Sequence, residues 1–119
     1  MSNPMTDDNP LVAVSMQIIM HAGNASNNAR EALSNARAGK AQEAQASIKK
    51  AHEDIDQAHL CQTQILQSVA AGEEFTPNLL FTHAQDILMT IQTEVNVFDE
   101  LVGIIDELDA KIATVANGR

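Results

Sequence analysis

His83 is the residue whose surroundings are most suited to chemistry. Polar side chains lie close to it in sequence at Thr82, Gln85 and Asp86, within a stretch otherwise rich in Leu, Ile and Met. His83 falls in the first turns of a predicted helix. The positive end of the helix dipole there favours a neutral, nucleophilic imidazole and also an arriving phosphoryl group. Asp86 could orient the ring, bind a cation or only add favourable negative charge near the helix start. On these residues alone, a structural role is favoured over a catalytic one.

The other three histidines have ordinary explanations. His21 lies near the apolar face of the first predicted helix, where a partly buried, hydrogen-bonded imidazole is expected. His52, Asp56 and His59 are four and three residues apart, so they share one side of a helix and could in principle hold a metal. The sequence lacks His-Glu-x-x-His and the paired Glu-x-x-His motifs of di-iron sites. A solvated or capping role is therefore predicted for these three residues.

Several enzyme classes and compartments are disfavoured by what the sequence lacks. There is no Ser/His/Asp arrangement, Gly-rich phosphate loop, Cys-x-x-Cys or dinucleotide fingerprint, which argues against hydrolases, kinases and dehydrogenases. The single cysteine, Cys61, cannot form an internal disulfide and is predicted to be a buried free thiol in a reducing cytosol. No signal peptide and no run of about eighteen apolar residues is present, so neither export nor membrane insertion is expected.

The composition favours a small helical protein. A chain of 119 residues fits one domain, and its 45% hydrophobic and 3% aromatic content requires a core of Ala, Leu, Ile, Val and Met. Sixteen acidic residues against seven basic ones give a formal charge of −9. Such a surface repels phosphate backbones and anionic lipid headgroups, so nucleic acid and membrane surfaces are poor partners.

Two helices are indicated before residue 72. Asn9 followed by Pro10 is an N-cap with proline at the first helical position, and Gly39 ends the first apolar run. The same period resumes after Gly39 and stops at Gly72. The predicted inward faces are Leu11, Val14, Ile18, Ala22, Ala25, Ala29, Ala32 and Ala36 in helix one, and Ala44, Ile48, Ala51, Ile55, Ala58, Gln62, Ile65 and Val69 in helix two.

A third, longer helix is predicted to start at Pro77 with Thr76 as its cap. Its main seam follows a heptad pattern interrupted only by Glu94. The seam consists of Leu80, Ala84, Ile87, Ile91, Glu94, Phe98, Leu101, Ile105, Leu108, Ile112 and Val115. Short connections between long helices predict an all-α, antiparallel, up-down-up bundle. Residues 1–8 are expected to be a flexible tail before a single domain over residues 9–119.

Helix three carries a second apolar stripe beside the main seam. Leu88, Val95 and Val102 repeat every seven residues, and so wide an apolar surface calls for more than one neighbour. One interpretation is self-association through helix three. The other is that both stripes face helices one and two of the same chain. The pattern favours neither over the other.

Residues 79–90 read Leu-Leu-Phe-Thr-His-Ala-Gln-Asp-Ile-Leu-Met-Thr, and this segment resembles the phosphorylation site of a known family. The family is the lactose/cellobiose-type IIA component of the sugar phosphotransferase system, whose segment usually reads histidine, a small residue, Gln-Asp-His-Leu-Met-Thr. Residues 18–25 and 58–63 agree with the same family in order and spacing, and the turn at 38–40 falls where the family has one. The likeness extends from about residue 12 to about residue 108.

The resemblance implies both an assembly and a site. It implies a homotrimer in which the third helices form a coiled-coil core. It makes His83 the phosphoryl acceptor, Gln85 a supporting residue and Asp86 a ligand that points to the threefold axis and holds Mg²⁺ with its symmetry copies. The partners implied are the general carrier protein HPr as donor and the cysteine of a IIB subunit as acceptor. The setting would be cytoplasmic uptake of a disaccharide such as cellobiose, diacetylchitobiose or lactose.

Two departures from the family pattern bear on the site. Ile87 stands where the family commonly has a second histidine, which leaves His83 as the only acceptor, and Ala84 in place of glycine is closer to the cellobiose/diacetylchitobiose branch. Two other classes of protein compete with this interpretation. One is a non-catalytic oligomeric helical scaffold. The other is a histidine phosphotransfer domain of two-component signalling, although its usual lysine and glycine after the histidine are missing here.

Overall fold

The computed structural model describes residues 9–118, and this part of the chain is all-helical, as predicted. The three helices are α1 (Pro10–Arg37), α2 (Ala41–Ala70) and α3 (Leu79–Asn117). The expected flexible tail, residues 1–8, lies outside the described residues, as does residue 119. None of the three helices, as described, is both long enough and apolar enough to cross a membrane.

The boundaries of α1 and α2 follow the local signals in the sequence. The Asn9 side chain accepts a hydrogen bond of 2.9 Å from the backbone N–H of Leu11, and Pro10 occupies the first helical position. Gly39 (φ 77°) and Gly72 (φ 100°) adopt the left-handed backbone conformation that only glycine tolerates freely, directly after the two helices. These capping interactions confirm the predicted start of α1 and the predicted ends of α1 and α2.

The start of α3 differs from the prediction by two residues. Asn78, and not Thr76, is the N-cap, because its Oδ1 accepts hydrogen bonds from the backbone N–H groups of Leu80 (2.8 Å) and Phe81 (3.3 Å). Pro77 therefore precedes the helix instead of opening it. Asparagine caps at least as well as threonine, so the better cap sets the boundary when two candidates are close together.

Side-chain contacts fix the helix directions. Asn28 Nδ2 of α1 donates to Asp54 Oδ2 of α2 at 2.7 Å. Cys61 Sγ of α2 lies 3.6 Å from Gln17 Oε1 of α1, so α1 and α2 run in opposite directions. On the other side of α2, His52 contacts Asp99 and His59 contacts Gln92 of α3. From the first of these α2–α3 contacts to the second, the residue number rises in α2 and falls in α3, so α2 and α3 are also antiparallel. The up-down-up arrangement is therefore confirmed for the described chain.

The core between α1 and α2 is built mainly from alanine, as the sequence pattern predicts. Alanine side chains let the two backbones approach closely, although each buries little apolar area. Val69, predicted to face inward, is instead 53% exposed near the end of α2. The buried alanines are Ala22, Ala25, Ala29, Ala32 and Ala36 in α1, and Ala44, Ala51 and Ala58 in α2.

The two apolar stripes of α3 have different environments. The second stripe, Leu88, Val95 and Val102, is almost completely buried against α1 and α2. Much of the main seam is not: Leu101 is 37%, Leu108 51% and Ile112 64% exposed, and every described residue from 106 onward is exposed. The interpretation in which both stripes pack inside one chain is therefore wrong for α3 from about residue 101 to its C-terminal end.

Two buried or half-buried groups differ from expectation. Asp54 is 4% exposed although the pattern did not place it inside, and Asn28 and Lys50 hydrogen-bond its two carboxylate oxygens. Cys61, predicted to be buried, is only partly so, and its Sγ lies 3.6 Å from Gln17 Oε1. The α1–α2 interface is polar at its edge because these groups lie beside the alanine core and not within it.

Candidate functional site

His83 lies in the second turn of α3, and its side chain is exposed. Asn78 fixes this position, since it caps the helix that begins at Leu79, four residues before His83. Ala84, the next residue, is completely buried, which orients this part of α3 so that His83 faces outward. The imidazole is therefore held on a rigid, capped helix and is accessible to another protein.

An open groove runs along α3 from His83 toward the C-terminal end of the helix. It is lined by His83, Asp86, Ile87, Thr90 and Ile91, residues that follow each other at helical spacing on one face. An imidazole, a carboxylate and a hydroxyl thus share a mostly apolar surface. Such a surface offers one nitrogen nucleophile that needs no movement of the helix to be reached.

The structure brings His83 and Asp86 together but not Gln85. Both His83 and Asp86 line the groove and both are exposed. Gln85 is half-buried and is not among the residues that line it. Two residues along a helix differ by about 200° in direction, which places Gln85 on the other side of α3.

The groove also contains Thr90, the last residue of the segment that resembles the phosphorylation site, and Ile91, which the sequence analysis assigns only to the main seam. Thr90 and Ile91 lie seven and eight residues after His83 and complete the same face. Their spacing was the available signal, because positions seven and eight apart recur on one side of a helix. Glu94, the polar interruption of the main seam, is held by Ser26 and by Arg30 of α1 at 3.8 Å.

The predicted solvated or capping role is wrong for His52 and His59, because both are half-buried and contact α3. His52 Nε2 lies 2.8 Å from Asp99 Oδ2, and His59 Nε2 lies 2.9 Å from Gln92 Oε1, so both fasten α2 to α3. Asp56 is exposed, and His21 is half-buried. Across residues 9–118, no group of three His, Cys, Asp or Glu side chains is arranged to hold a metal.

Comparison with known proteins identifies the family of this chain. Residues 13–106 match the model of the family described as PTS system, Lactose/Cellobiose specific IIA subunit. The chain belongs to this IIA family. It is therefore a phosphotransfer protein, the IIA component of a cellobiose/lactose-type sugar phosphotransferase system.

Individual relatives of this IIA protein agree along nearly the whole chain. The cellobiose-specific EIIA component of Lactococcus lactis is 41% identical over 108 residues, which cover 91% of each chain. The galactose-specific EIIA component of the same species is 42% identical over 101 residues, covering 85% of each. The crystal structure of the cellobiose-specific enzyme IIA from Bacillus anthracis has a TM-score of 0.82 and 38% identity, covering 92% of this chain and 99% of that one.

Relatives named for different sugars are almost equally similar to this chain. Relatives named for cellobiose and for galactose differ by a single percentage point in their likeness to this chain.

Proposed function

We propose that this IIA protein carries a phosphoryl group on His83, which it receives from HPr and gives to the cysteine of a IIB subunit. The observation that carries the proposal is the exposure of His83 in an open groove on a capped helix. A carrier that serves two proteins in turn needs an acceptor that both can reach. The other three histidines are half-buried, and two of them hold α2 against α3.

The transfer consists of two displacements at phosphorus. In the first, an imidazole nitrogen of His83 attacks the phosphoryl group, a new N–P bond forms, and the P–N bond to the histidine of HPr breaks with its electron pair going to that histidine. In the second, the thiolate of IIB attacks phosphorus and the N–P bond to His83 breaks, which returns the imidazole to its starting state. Histidine serves both steps because its neutral ring is at once a nucleophile and a leaving group.

The assembly that fits this chain is a homotrimer over the single domain of residues 9–119. The exposed apolar residues in the C-terminal half of α3 (Leu101, Ile104, Leu108 and Ile112) support it, since so continuous an apolar face is uncommon on an isolated small protein. Three copies of α3 packed along this face would form the coiled-coil core that the family resemblance implies.

Asp86 would take part in a metal site only in such a trimer. One chain supplies a single exposed carboxylate at this place, and Mg²⁺ prefers several oxygen ligands. Three copies of Asp86 around the axis would meet that requirement, with water completing the shell. A cation there supplies neutralisation of the three carboxylates, and it takes no part in the chemistry proposed for His83.

Other elements of the proposal are the docking surface, the location and the sugar class. Leu79 and Met89 are exposed and Phe81 is half-buried near His83, so they are candidates for contact with HPr and IIB. Gln85 would act as support from the opposite side of α3. We propose a cytoplasmic setting and a disaccharide system for cellobiose, diacetylchitobiose or lactose.

The experiment that tests the proposal locates the phosphoryl group. The protein is incubated with enzyme I, HPr and phosphoenolpyruvate, and mass spectrometry of peptides at alkaline pH should place the added phosphate on His83. The variant H83A should fold and assemble normally but take up no phosphate. A label on another residue would contradict the assignment.

Two competing functions predict different results in the same experiment. A helical scaffold would carry no acid-labile, base-stable phosphate. A histidine phosphotransfer domain would be labelled by a phosphorylated receiver domain and not by HPr.

A further inference from the structure

Glu94 is the one polar member of an otherwise apolar row along α3. The row repeats every seven residues, and its other members are Leu80, Ile87, Leu101, Leu108 and Val115. Exposure increases along the row, since Leu101 is 37%, Leu108 51% and Val115 78% exposed. A row with this spacing is the surface through which parallel helices associate. Glu94 therefore places a carboxylate in the surface that the proposed assembly would bury.

The Glu94 carboxylate is held by α1 of its own chain. Ser26 Oγ donates a hydrogen bond to Oε1, and Arg30 Nη2 lies 3.8 Å from Oε2. The Glu94 side chain is only 27% exposed, whereas that of Arg30 is 68% exposed. Glu94 is thus already partly desolvated in one chain, while Arg30 keeps N–H donors that face solvent. The two residues present opposite charges on one surface, at the same level of the bundle.

The apolar residues of this surface do not by themselves fix how two copies are aligned. Leu101 and Leu108 are identical residues one heptad apart, and so are Ile105 and Ile112. A second copy shifted by seven residues, roughly 10 Å along the helix, would therefore bury nearly the same side chains. A surface of this kind needs another feature to select one alignment.

A carboxylate within the row provides that feature. When the copies are aligned, the Glu94 and Arg30 side chains of all copies lie in one layer, where opposite charges attract each other. When one copy is shifted, its Glu94 faces an apolar Ile87 or Leu101 of its neighbour, and burying a charge against apolar groups is costly. A single polar residue in a helix seam fixes the register in this way, at a cost in stability.

We propose that Glu94, together with Ser26 and Arg30, fixes the register in which copies of this chain associate through α3. The partner is a second copy of the same chain, which brings its own Glu94 and Arg30 to the charged layer. The inference rests on the self-association in the proposed function and not on phosphoryl transfer at His83. An apolar residue at position 94 should therefore give an assembly that is more stable but less specific.

Disulfide cross-links report the register directly. Full-length chains carrying I104C and full-length chains carrying K111C, both also with C61A, are co-expressed and oxidised after purification. Residues 104 and 111 lie seven residues apart on one side of α3. A disulfide joins Cα atoms no more than about 7 Å apart, so aligned copies form 104–104 and 111–111 links, whereas a 104–111 link requires a shift of one heptad. Peptide mass spectrometry counts the three kinds of link.

The expected result separates Glu94 from other carboxylates of α3. With Glu94 present, mixed 104–111 links should be rare. E94L should raise their share at least about tenfold and should also raise the melting temperature, because leucine continues the apolar row. The matched control E107L replaces an exposed carboxylate outside the row and should leave the links unchanged.

R30Q provides a second variant that leaves the interior of the chain intact, because Arg30 is exposed. It should weaken the assembly about tenfold in dilution experiments, since Glu94 loses its cation, and it should keep the aligned links. Mixed links that stay rare in E94L, or that become equally frequent in E94L and E107L, would overturn the proposal. An E94L protein that melts at a lower temperature and remains aligned would also overturn it, because Glu94 would then only fasten α1 to α3 within one chain.

Phosphate labelling of His83 is measured separately so that the two proposals can fail independently. A labelled wild-type protein that forms no cross-links would preserve the phosphocarrier and reject both the assembly and its register. Aligned cross-links that depend on Glu94, without a phosphate on His83, would preserve the register and reject the phosphocarrier.

Discussion

His83 and Ile87 lie one helical turn apart on α3 and line the same groove, but His83 is exposed whereas Ile87 is half-buried. This difference in exposure makes position 83 the accessible place for a nucleophile. The family pattern commonly has a second histidine where Ile87 stands. This chain therefore has a histidine only at the more exposed of the two positions.

The first prediction concerns an imidazole moved to position 87. The double variant H83A/I87H should be labelled by HPr at less than about a tenth of the wild-type rate, because a half-buried ring on the groove floor is not aligned for in-line attack. Intact-mass measurement over time gives the rate, and I87V checks that the groove tolerates a change there. Labelling at the wild-type rate would mean that exposure at position 83 does not select the acceptor.

A second prediction tests self-association through α3. Ile104 and Leu108 are 47% and 51% exposed, so I104Q/L108Q removes little from the fold of one chain. Burying the exposed half of each side chain contributes about 1 kcal/mol, and every chain of the assembly loses two such side chains, so the variant should dissociate to single chains in analytical ultracentrifugation.

The matched control for self-association is L60Q, because Leu60 is 50% exposed on α2. It should leave the mass of the assembly unchanged. A wild-type protein that sediments as one chain would reject the trimer.

Removal of the metal should distinguish Asp86 from other surface carboxylates. In a trimer, the repulsion of three Asp86 side chains is relieved by Mg²⁺, so adding EDTA should lower the melting temperature of the wild type. D86N should melt at one temperature with or without Mg²⁺. D109N, which alters an exposed carboxylate farther along α3, should keep the wild-type response. If D86N responds to Mg²⁺ as the wild type does, Asp86 is not the ligand.

Stability of the α1–α2 interface should depend on Asn28. Its amide donates to the buried Asp54 at 2.7 Å, and N28A would leave one carboxylate oxygen without that partner. We expect the free energy of unfolding to fall by about 1–3 kcal/mol in urea titrations, since a buried polar group would lose its hydrogen bond. N27A, at an exposed neighbouring position, should change it by less than about 0.5 kcal/mol. Equal effects of the two variants would contradict this role.

An ion pair within α2, between Lys50 and Asp54, should be lost at alkaline pH. The pKa of Lys50 is raised above its ordinary 10.5, chiefly because its ammonium donates a hydrogen bond to Asp54. A raised folded-state pKa means that this stabilisation is complete below pH 10.5 and is lost as the pH rises through the folded value. K50Q should therefore lose less stability than the wild type between about pH 9 and about pH 12, while K49Q should follow the wild type. Parallel curves for K50Q and the wild type would refute this.

Much of the fold could be predicted because its signals are local. Asn9, Gly39 and Gly72 determine helix ends through their own side chains or backbone freedom, independently of any distant contact. The recurrence of alanine every three or four residues likewise identifies the inner faces of α1 and α2. The sequence predicts the start of α3 two residues early, at Pro77, because two capping residues stand close together and only the hydrogen bonds made by Asn78 decide between them.

The candidate site was partly predictable for the same reason. His83 and Asp86 are three residues apart, and this spacing already placed them on one side of a helix. Spacing also separates Gln85 from His83, by about 200° around the helix, although the family likeness groups all three residues.

The sequence by itself determined three helices, their order and the family, since caps, glycines, periodicity and the segment at 79–90 are properties of neighbouring residues. Only the tertiary structure decided that Leu88, Val95 and Val102 face inward while Leu108 and Ile112 remain uncovered. Periodicity marks an apolar face but not the neighbour that covers it. The neighbours are set by contacts between residues far apart in the chain, such as Asn28 with Asp54 and His52 with Asp99.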